Sequence, residues 1–234
     1  MQPPLDLWLI RHAQPLVDSG ICYGQTDVLA DSAATALAAQ TLAQQLPQGL
    51  SIFCSPLQRC ELLAHTLYGL RADLSFKNDI RLSEMHFGNW EMQAWAQIPR
   101  SQLDDWTADF AHYPVGQHGE STMGVVQRVL QALVDASTQA FASVRKSSDP
   151  RAMVWITHAG VIRAVGWLME TLALMEQLEP TGPAEQHHPT LYPARPLRAG
   201  EWPQDAPRFG CWQRLRVPSL PQLHRLQKAL ASQA

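Results

Sequence analysis

Short apolar segments alternate along the chain with longer stretches of helical periodicity. The apolar segments span residues 5–10, 51–54 and 152–156, each of a length typical of a buried parallel strand. The periodic stretches predict helices over residues 31–46, 57–68, 120–146 and 161 to about 174. Strands that alternate with helices in this way predict an α/β fold, built as a three-layer α/β/α sandwich around a mostly parallel sheet.

Two segments lack this regularity. Residues 79–118 carry several Trp, Asp and Pro without a clear period, and we interpret residues 85–120 as a lid or insertion of loops and short helices. Seven of the 17 prolines lie between residues 180 and 207. We therefore expect residues 176–234 to be irregular, apart from a candidate edge strand over 209–217. The whole chain, 1–234, is predicted to form a single domain.

Composition narrows the class of protein. With 46% hydrophobic and 17% charged residues in 234, the chain is expected to fold around a core, and it holds no apolar run of the roughly 20 residues that a membrane helix needs. The N-terminal apolar stretch stops at Arg11 and lacks a basic segment before it, so no secretion signal is expected and a cytoplasmic location is predicted.

The net charge and the cysteines give no sign of a nucleic acid, membrane or metal partner. A net charge of −3 does not favour nucleic acid or an anionic membrane. Residues 181–234 are locally basic, with seven Lys and Arg against three acidic residues, which fits either attraction of an anionic substrate or a solvated surface. The four cysteines form no C-x-x-C pair and show no regular spacing to His, so we expect neither a disulfide framework nor a metal site.

Each of the three predicted strands leads directly into a polar, cationic cluster. Arg11 and His12 follow the first strand, Arg59 follows the second after a Ser-Pro turn, and His158 follows the third. Ligands of open α/β sheets bind beyond the carboxyl ends of the strands, so neighbouring parallel strands would bring these four side chains together. Alone, each has a plain structural explanation, such as a surface Arg-His pair or a hydrogen-bonded core histidine. Together they predict a phosphate pocket.

The motifs around these residues resemble a known family. The blocks, in chain order, are Leu9-Ile-Arg-His-Ala-Gln14, Tyr23-Gly-Gln-Thr-Asp27, Cys54-Ser-Pro-Leu-Gln-Arg59, Leu82-Ser-Glu-Met-His-Phe-Gly-Asn-Trp-Glu91, Gly119-Glu-Ser121 and Thr157-His-Ala-Gly-Val-Ile-Arg163. Over residues 7 to about 170 they resemble the histidine phosphatase superfamily, also called the phosphoglycerate mutase-like family, whose signature is Arg-His-Gly near the N-terminus. The resemblance implies the phosphoglycerate mutase-like form of the α/β/α sandwich.

The resemblance also implies residue roles. His12 would be the nucleophile that forms a phosphohistidine, and Arg11, Arg59 and His158 would hold the oxygens of the phosphoryl group. Glu84 would donate and accept the proton, although a loop carboxylate without a catalytic role also fits its position in the sequence. Further donors would come from Gln25 or from backbone amides. No metal ion and no cofactor are implied.

Several positions depart from the family pattern. Ala13 and Gln14 stand where Gly and Glu are usual, and Pro15 stands where Thr or Ser is common. Asp18 occupies the place of a frequent Asn, and because a carboxylate repels phosphate we do not assign it to the pocket. His86 stands where Asp is frequent, and we interpret it as a partly exposed ring beside Phe87.

Within the family, residues 22–27 and 87–91 and the nearby Trp-rich segment resemble bacterial α-ribazole phosphatases. This branch implies hydrolysis of α-ribazole 5′-phosphate in assembly of the cobalamin nucleotide loop, with a small phosphomonoester as the binding partner. A broad-specificity phosphatase or a mutase-type phosphotransferase fits the spacing too, and a non-catalytic phosphate-binding relative is a third alternative. The aromatic residues Tyr23, Trp90, Trp95 and Trp106 could stack on a heteroaromatic base or pack in the core. The sequence leaves the oligomeric state open.

Overall fold

The computed structural model describes residues 5–142, 151–178 and 195–232. The strands within these ranges are β1 (Leu5–Arg11), β2 (Ser51–Cys54), β3 (Ser75–Asn78), β4 (Arg151–Thr157) and β5 (Trp212–Val217). The helices are α1 (Ser32–Gln45), α2 (Gln58–Leu70), α3 (Arg100–Ala108), α4 (Thr122–Ala142), α5 (Ala159–Gln177) and α6 (Leu220–Ala231), with short 3₁₀ turns between some of them.

The five described strands form one sheet in the order β3-β2-β4-β1-β5, in which only β5 is antiparallel. Side chains alternate along β1: Leu5, Leu7 and Leu9 enter a core shared with α4, α5 and α6, whereas Trp8 and Ile10 enter a second core on the side of α1 and α2. Helices therefore cover both faces of the sheet. The predicted three-layer α/β/α sandwich with a mostly parallel sheet is confirmed.

The helices follow the periodic patterns closely. The Asp31 side chain caps α1 by accepting from the amide of Ala34 at 2.7 Å. In α4, residues such as Val125, Val129 and Leu133 recur at helical spacing and are buried. The predicted end of this helix at Lys146, and the Ser-Pro stretch behind it, lie outside the described residues, as do residues 179–194 of the proline-rich segment.

The C-terminal segment is more regular than predicted. Helix α6 follows β5, and the expectation of an irregular segment up to residue 234 is wrong there. Its start carries a capping box, in which Ser219 and Gln222 satisfy each other's backbone amides, and its Leu223 and Leu226 are buried. The capping box and the leucine spacing are visible in the sequence, whereas the many prolines before them favour irregular structure. The proline-rich residues 195–207 that the structure describes form no helix beyond one 3₁₀ turn at Ala199–Glu201.

Strand β3 is also absent from the prediction. It lies at the edge of the sheet, and of its four residues only Phe76 is partly buried, so no apolar alternation marks it. Residues 85–120 contain short 3₁₀ turns and α3, so the loops and short helices predicted there are present. Trp90, Ile98 and Val115 of this segment are buried in the core shared with α4 and α5, which anchors it to that face. No helix in the described part of the chain is long and apolar enough to span a membrane.

Candidate active site

The strand register brings the three cationic clusters to one edge of the sheet. Arg11 at the end of β1 pairs with Thr157 at the end of β4, and Cys54 at the end of β2 pairs with Ile156. Backbone hydrogen bonds continue past the strand ends, since the amide of His12 donates to the carbonyl of Thr157 at 3.0 Å. Arg11, His12, Ser55 and His158 consequently lie at the carboxyl ends of neighbouring strands.

His12 is held in one tautomer inside this group. Its side chain is only 1% exposed, and Nδ1 lies 2.7 Å from the carbonyl oxygen of Ala13. Because a carbonyl only accepts, Nδ1 carries the proton and Nε2 keeps its lone pair. Burial, reinforced by the charges of Arg59 and Arg11, lowers the pKa of His12 to about 3. His12 is therefore a neutral imidazole at neutral pH, with a nitrogen able to attack an electrophile.

Arg59 and His158 are both fully buried and are hydrogen-bonded to each other. Nε of Arg59 donates to Nδ1 of His158 at 3.3 Å, and its two terminal nitrogens donate to the carbonyls of Gly24 and Thr26. Nε2 of His158 therefore carries the ring proton and donates to Ser55 Oγ at 2.8 Å. Burial and the neighbouring Arg59 keep the pKa of His158 well below its usual range. Its ring centre lies 5.1 Å from that of His12.

Arg11 completes the cationic group from the other side. Its guanidinium donates to the carbonyl of Pro207 at 3.1 Å. Tyr23 is close to both arginines: it interacts electrostatically with Arg11, and its ring centre lies 5.2 Å from the guanidinium carbon of Arg59. The Nε of Arg11 is buried and has no hydrogen-bond partner in the described part of the chain. Neither Arg11 nor Arg59 forms a salt bridge with a carboxylate of the described residues. The pocket thus carries two cations that form no salt bridge with a carboxylate of the described residues, although Glu84 is close enough to interact with Arg11.

Glu84 lies against the N-terminus of α5. Its two carboxylate oxygens accept from the backbone amides of Met85 at 2.9 Å and Gly160 at 3.1 Å, and its backbone carbonyl accepts from Arg128 of α4. A Cβ atom on Gly160 would lie 2.1 Å from Oε1 of Glu84. Only glycine at position 160 leaves room for the carboxylate. The nearby Arg11 and Tyr23 place Glu84 on the same pocket.

A carboxylate that we did not assign to the site organises the loop that holds Arg59. Glu91 accepts from the amides of Gln25 at 2.9 Å and Thr26 at 2.6 Å, from the hydroxyl of Thr26, and from the amide of Phe87 at 3.0 Å. The carbonyls of Gly24 and Thr26 in the same loop accept hydrogen bonds from Arg59. Glu91 lies in the sequence block 82–91, but its role depends on a contact across the fold. A role of Gln25 as a phosphate donor stays a prediction, since the contact that it makes here is the backbone bond to Glu91.

Helices α2 and α5 both begin at this edge of the sheet, where free amides of a first helical turn would favour an anion. One amide of each first turn is satisfied by a carboxylate: the amide of Gln58 donates to Asp27 at 2.7 Å, and the amide of Gly160 donates to Glu84.

A cavity of about 200 Å³ opens beside Glu84. Aromatic rings form much of its wall: Phe87, Trp95, Trp106, Phe110 and Trp202. Arg163 lies at the same cavity, and its buried Nε has no hydrogen-bond partner within the described ranges. The cavity can accept a flat apolar group with one polar edge.

The aromatic residues noted in the sequence divide between roles. Trp95 and Trp106 line this cavity, whereas Trp90 is buried and donates its indole N–H to Gln102 at 2.7 Å. Tyr23 belongs to the cationic group instead. Trp202, from the C-terminal segment, lies 5.8 Å from Phe110, and no local pattern in the sequence predicts that contact.

The remaining candidates lie elsewhere. Asp18 lines an open depression with Leu16 and Met92, neither of which belongs to the cationic group. His86 is partly exposed, as expected, with Nε2 3.9 Å from Glu91. All four cysteines are free, and three of them are buried. The described residues contain no group of three or more His, Cys, Asp or Glu side chains that could hold a metal ion.

Comparisons with known proteins agree on one family. The sequence model of the histidine phosphatase superfamily (branch 1) matches residues 7–183. No curated protein is significantly similar to the chain. A structure of mycobacterial glucosyl-3-phosphoglycerate phosphatase with inorganic phosphate is 27% identical, with a TM-score of 0.56, covering 70% of this chain and 79% of that one.

Two further solved structures share the fold. A phosphoglycerate mutase from Thermus thermophilus is 27% identical, with a TM-score of 0.52, over 71% of this chain and 84% of that one. A putative α-ribazole-5′-P phosphatase from Escherichia coli is 21% identical, with a TM-score of 0.62, over 93% of each chain. At that identity the resemblance shows the fold alone.

Proposed function

The chain belongs to the histidine phosphatase superfamily, as its motifs predict, and we propose that it is a phosphomonoesterase that works through a phosphohistidine intermediate on His12. The observation that carries the proposal is the pair of guanidinium groups, Arg11 and Arg59, that lie beside a neutral His12 without a carboxylate partner among the described residues. A buried charge is costly unless it is paired, so the site is arranged for a bound anion. Planar guanidinium forks match phosphate oxygens.

In the first step, the lone pair on Nε2 of His12 attacks phosphorus and the bond from phosphorus to the ester oxygen breaks. Arg11 and Arg59 stabilise the charge on the phosphoryl oxygens. We propose that His158 fixes the orientation of Arg59 through their hydrogen bond. When substrate binds, the Nε2–H group of His158 donates to a phosphoryl oxygen instead of to Ser55 Oγ. Glu84, in its acid form, gives its proton to the leaving alkoxide, which departs as the alcohol.

In the second step, the Glu84 carboxylate takes a proton from water while the water oxygen attacks phosphorus. The bond from phosphorus to Nε2 of His12 breaks, and inorganic phosphate leaves. The amides of Met85 and Gly160 hold the carboxylate in place throughout. The proton that Glu84 gave up in the first step is therefore replaced, and the enzyme returns to its starting state. This chemistry needs neither a metal ion nor another cofactor.

For the alcohol, we propose α-ribazole, so that the substrate is α-ribazole 5′-phosphate of cobalamin assembly. Two features support it: the sequence blocks that resemble this branch of the family, and the aromatic cavity beside Glu84. A flat heteroaromatic base gains on the order of 1 kcal/mol from each well-placed ring contact, which a small acid or sugar phosphate does not gain. The unpartnered Nε of Arg163 offers a donor to a ring nitrogen or a ribose hydroxyl.

The reaction is tested with labelled substrate. After rapid quenching at neutral or alkaline pH, we expect phosphate label on His12, and we expect His12→Ala to remove both the label and turnover of p-nitrophenyl phosphate while the fold is retained. Retention of more than a small fraction of activity in that variant contradicts the nucleophile assignment. A protein that binds phosphate and hydrolyses no ester would instead be the non-catalytic relative.

The substrate is tested separately by steady-state kinetics on a panel of phosphomonoesters. We expect α-ribazole 5′-phosphate, or the related cobalamin 5′-phosphate, to show a several-fold higher kcat/KM than 3-phosphoglycerate and fructose phosphates. A flat profile would indicate a broad-specificity phosphatase. Mutase turnover of 3-phosphoglycerate would overturn the substrate assignment.

A further inference from the structure

The segment that precedes β5 closes against the cationic group. The ring centre of Phe209 lies 3.8 Å from the guanidinium carbon of Arg11 and 5.3 Å from the ring centre of His12. Backbone bonds hold this segment in place: the amide of Gly210 donates to the carbonyls of Arg11 and His12, and the amide of Arg11 donates to the carbonyl of Cys211. The placement of Phe209 is thus tied to the backbone of the two residues it covers.

An aromatic face suits this position chemically. Arg11 has to keep one orientation while it stays available to phosphate, and a carboxylate partner would neutralise its charge and repel the substrate. The ring of Phe209 attracts the guanidinium through its electron-rich face and carries no charge of its own. It also removes water from one side of Arg11 and His12, which strengthens their interaction with an anion.

We propose that Phe209 is a positioning residue for phosphoryl transfer, whose ring holds the Arg11 guanidinium in the orientation that receives the phosphoryl oxygens. The inference rests on the proposed function and extends it to a residue beyond the family match, which ends at residue 183. The C-terminal segment of this chain therefore supplies one wall of the phosphate pocket. The carbonyl of Pro207, 3.1 Å from Nη1 of Arg11, acts on the same guanidinium.

The test separates the aromatic face from simple bulk. Phe209→Leu keeps an apolar side chain but removes the ring, whereas Phe209→Tyr keeps the ring at a position that is only partly buried. Trp212→Leu is the control: it removes a nearby ring at the start of β5, one that packs on Trp8 with 6.2 Å between ring centres. Each variant is assayed for kcat/KM with p-nitrophenyl phosphate, for affinity for inorganic phosphate by calorimetry, and for thermal stability.

We expect Phe209→Leu to lower both kcat/KM and phosphate affinity about tenfold, within the strength of a partly desolvated cation–π contact. Phe209→Tyr and Trp212→Leu should stay within about twofold of wild type in both measurements. Equal values for Phe209→Leu and wild type overturn the inference, as does an equal loss in the Leu and Tyr variants, which would show a structural role. Phosphate affinity decides the matter even if wild type hydrolyses no ester, a result that would count against the proposed function alone.

Discussion

The close approach of Gly160 to Glu84 predicts that one added methyl group will disable Glu84, the proton donor that we propose. In Gly160→Ala the new Cβ would lie 2.1 Å from Oε1 of Glu84, against an ordinary contact of at least 3.4 Å. The carboxylate is the movable partner, so it has to shift by more than about 1 Å. That shift breaks its bonds to the amides of Met85 and Gly160, now 2.9 and 3.1 Å long.

A misplacement of about 1 Å in a catalytic group costs on the order of 10²-fold in rate. We expect a loss of that size in kcat/KM, which reports the steps up to release of the alcohol, with an alkyl phosphomonoester such as glycerol 2-phosphate, whose leaving oxygen needs a proton. The loss in kcat/KM should be much smaller with p-nitrophenyl phosphate, because p-nitrophenolate leaves without help. The fold should tolerate the change, since alanine is favoured over glycine in a helix by about 1 kcal/mol.

The assay compares kcat/KM on the two substrates for wild type, Gly160→Ala and the control Gly69→Ala. Gly69 lies in α2, where an added Cβ would meet no atom within 4 Å, so its replacement should leave both values unchanged. A wild-type kcat/KM on glycerol 2-phosphate in Gly160→Ala would refute the assignment of Glu84 as proton donor at this position. An equal loss on both substrates would show a general distortion of the pocket instead.

Four other predictions concern Glu84, Glu91, the effect of chelators and vanadate, and the protonation of His12. Glu84→Gln, which cannot donate a carboxyl proton, should lower kcat/KM for an alkyl phosphate more than kcat/KM for p-nitrophenyl phosphate. An unchanged ratio of these two values would count against Glu84 as the proton donor. Glu91→Gln places an amide NH₂ group against at least one of the backbone N–H groups that now donate to the carboxylate. We therefore expect the free energy of unfolding in urea to fall by about 1–3 kcal/mol, and kcat/KM to fall because Arg59 is held less firmly. Unchanged values of both would contradict this role of Glu91. Turnover should survive excess chelator and be inhibited by vanadate, whereas a requirement for added Mg²⁺ would contradict the mechanism. The free energy of unfolding should decrease as pH falls below about 6.5, because the unfolded chain then binds a proton that His12, with a pKa of about 3, does not. Between pH 7.5 and 5 the contribution of His12 amounts to about 2 kcal/mol, so the decrease measured by chemical denaturation should be smaller by that amount in His12→Asn than in wild type, while the buried His158 contributes equally in both.

Much of the site could be inferred from local sequence. Strand ends that lead into Arg11, Arg59 and His158 are visible because a buried strand needs a continuous apolar segment, and a polar residue directly behind it marks the edge of the sheet. The order of the sequence blocks indicated the family over most of the chain. Helix α6 could have been predicted as well, since its capping box and its spacing of leucines are local features.

The contacts that tune the site were decided by tertiary structure alone. The register of β1 against β4 brings His12 next to His158, and no local pattern specifies the register between strands so far apart in the chain. Glu84 meets Gly160, and Phe209 meets Arg11, only after the helices have packed on the sheet. Local sequence determines which side chains are cationic, aromatic or small, because those are properties of single residues. The distances that bring them together in one pocket depend on how distant elements pack, and only the folded chain sets those distances.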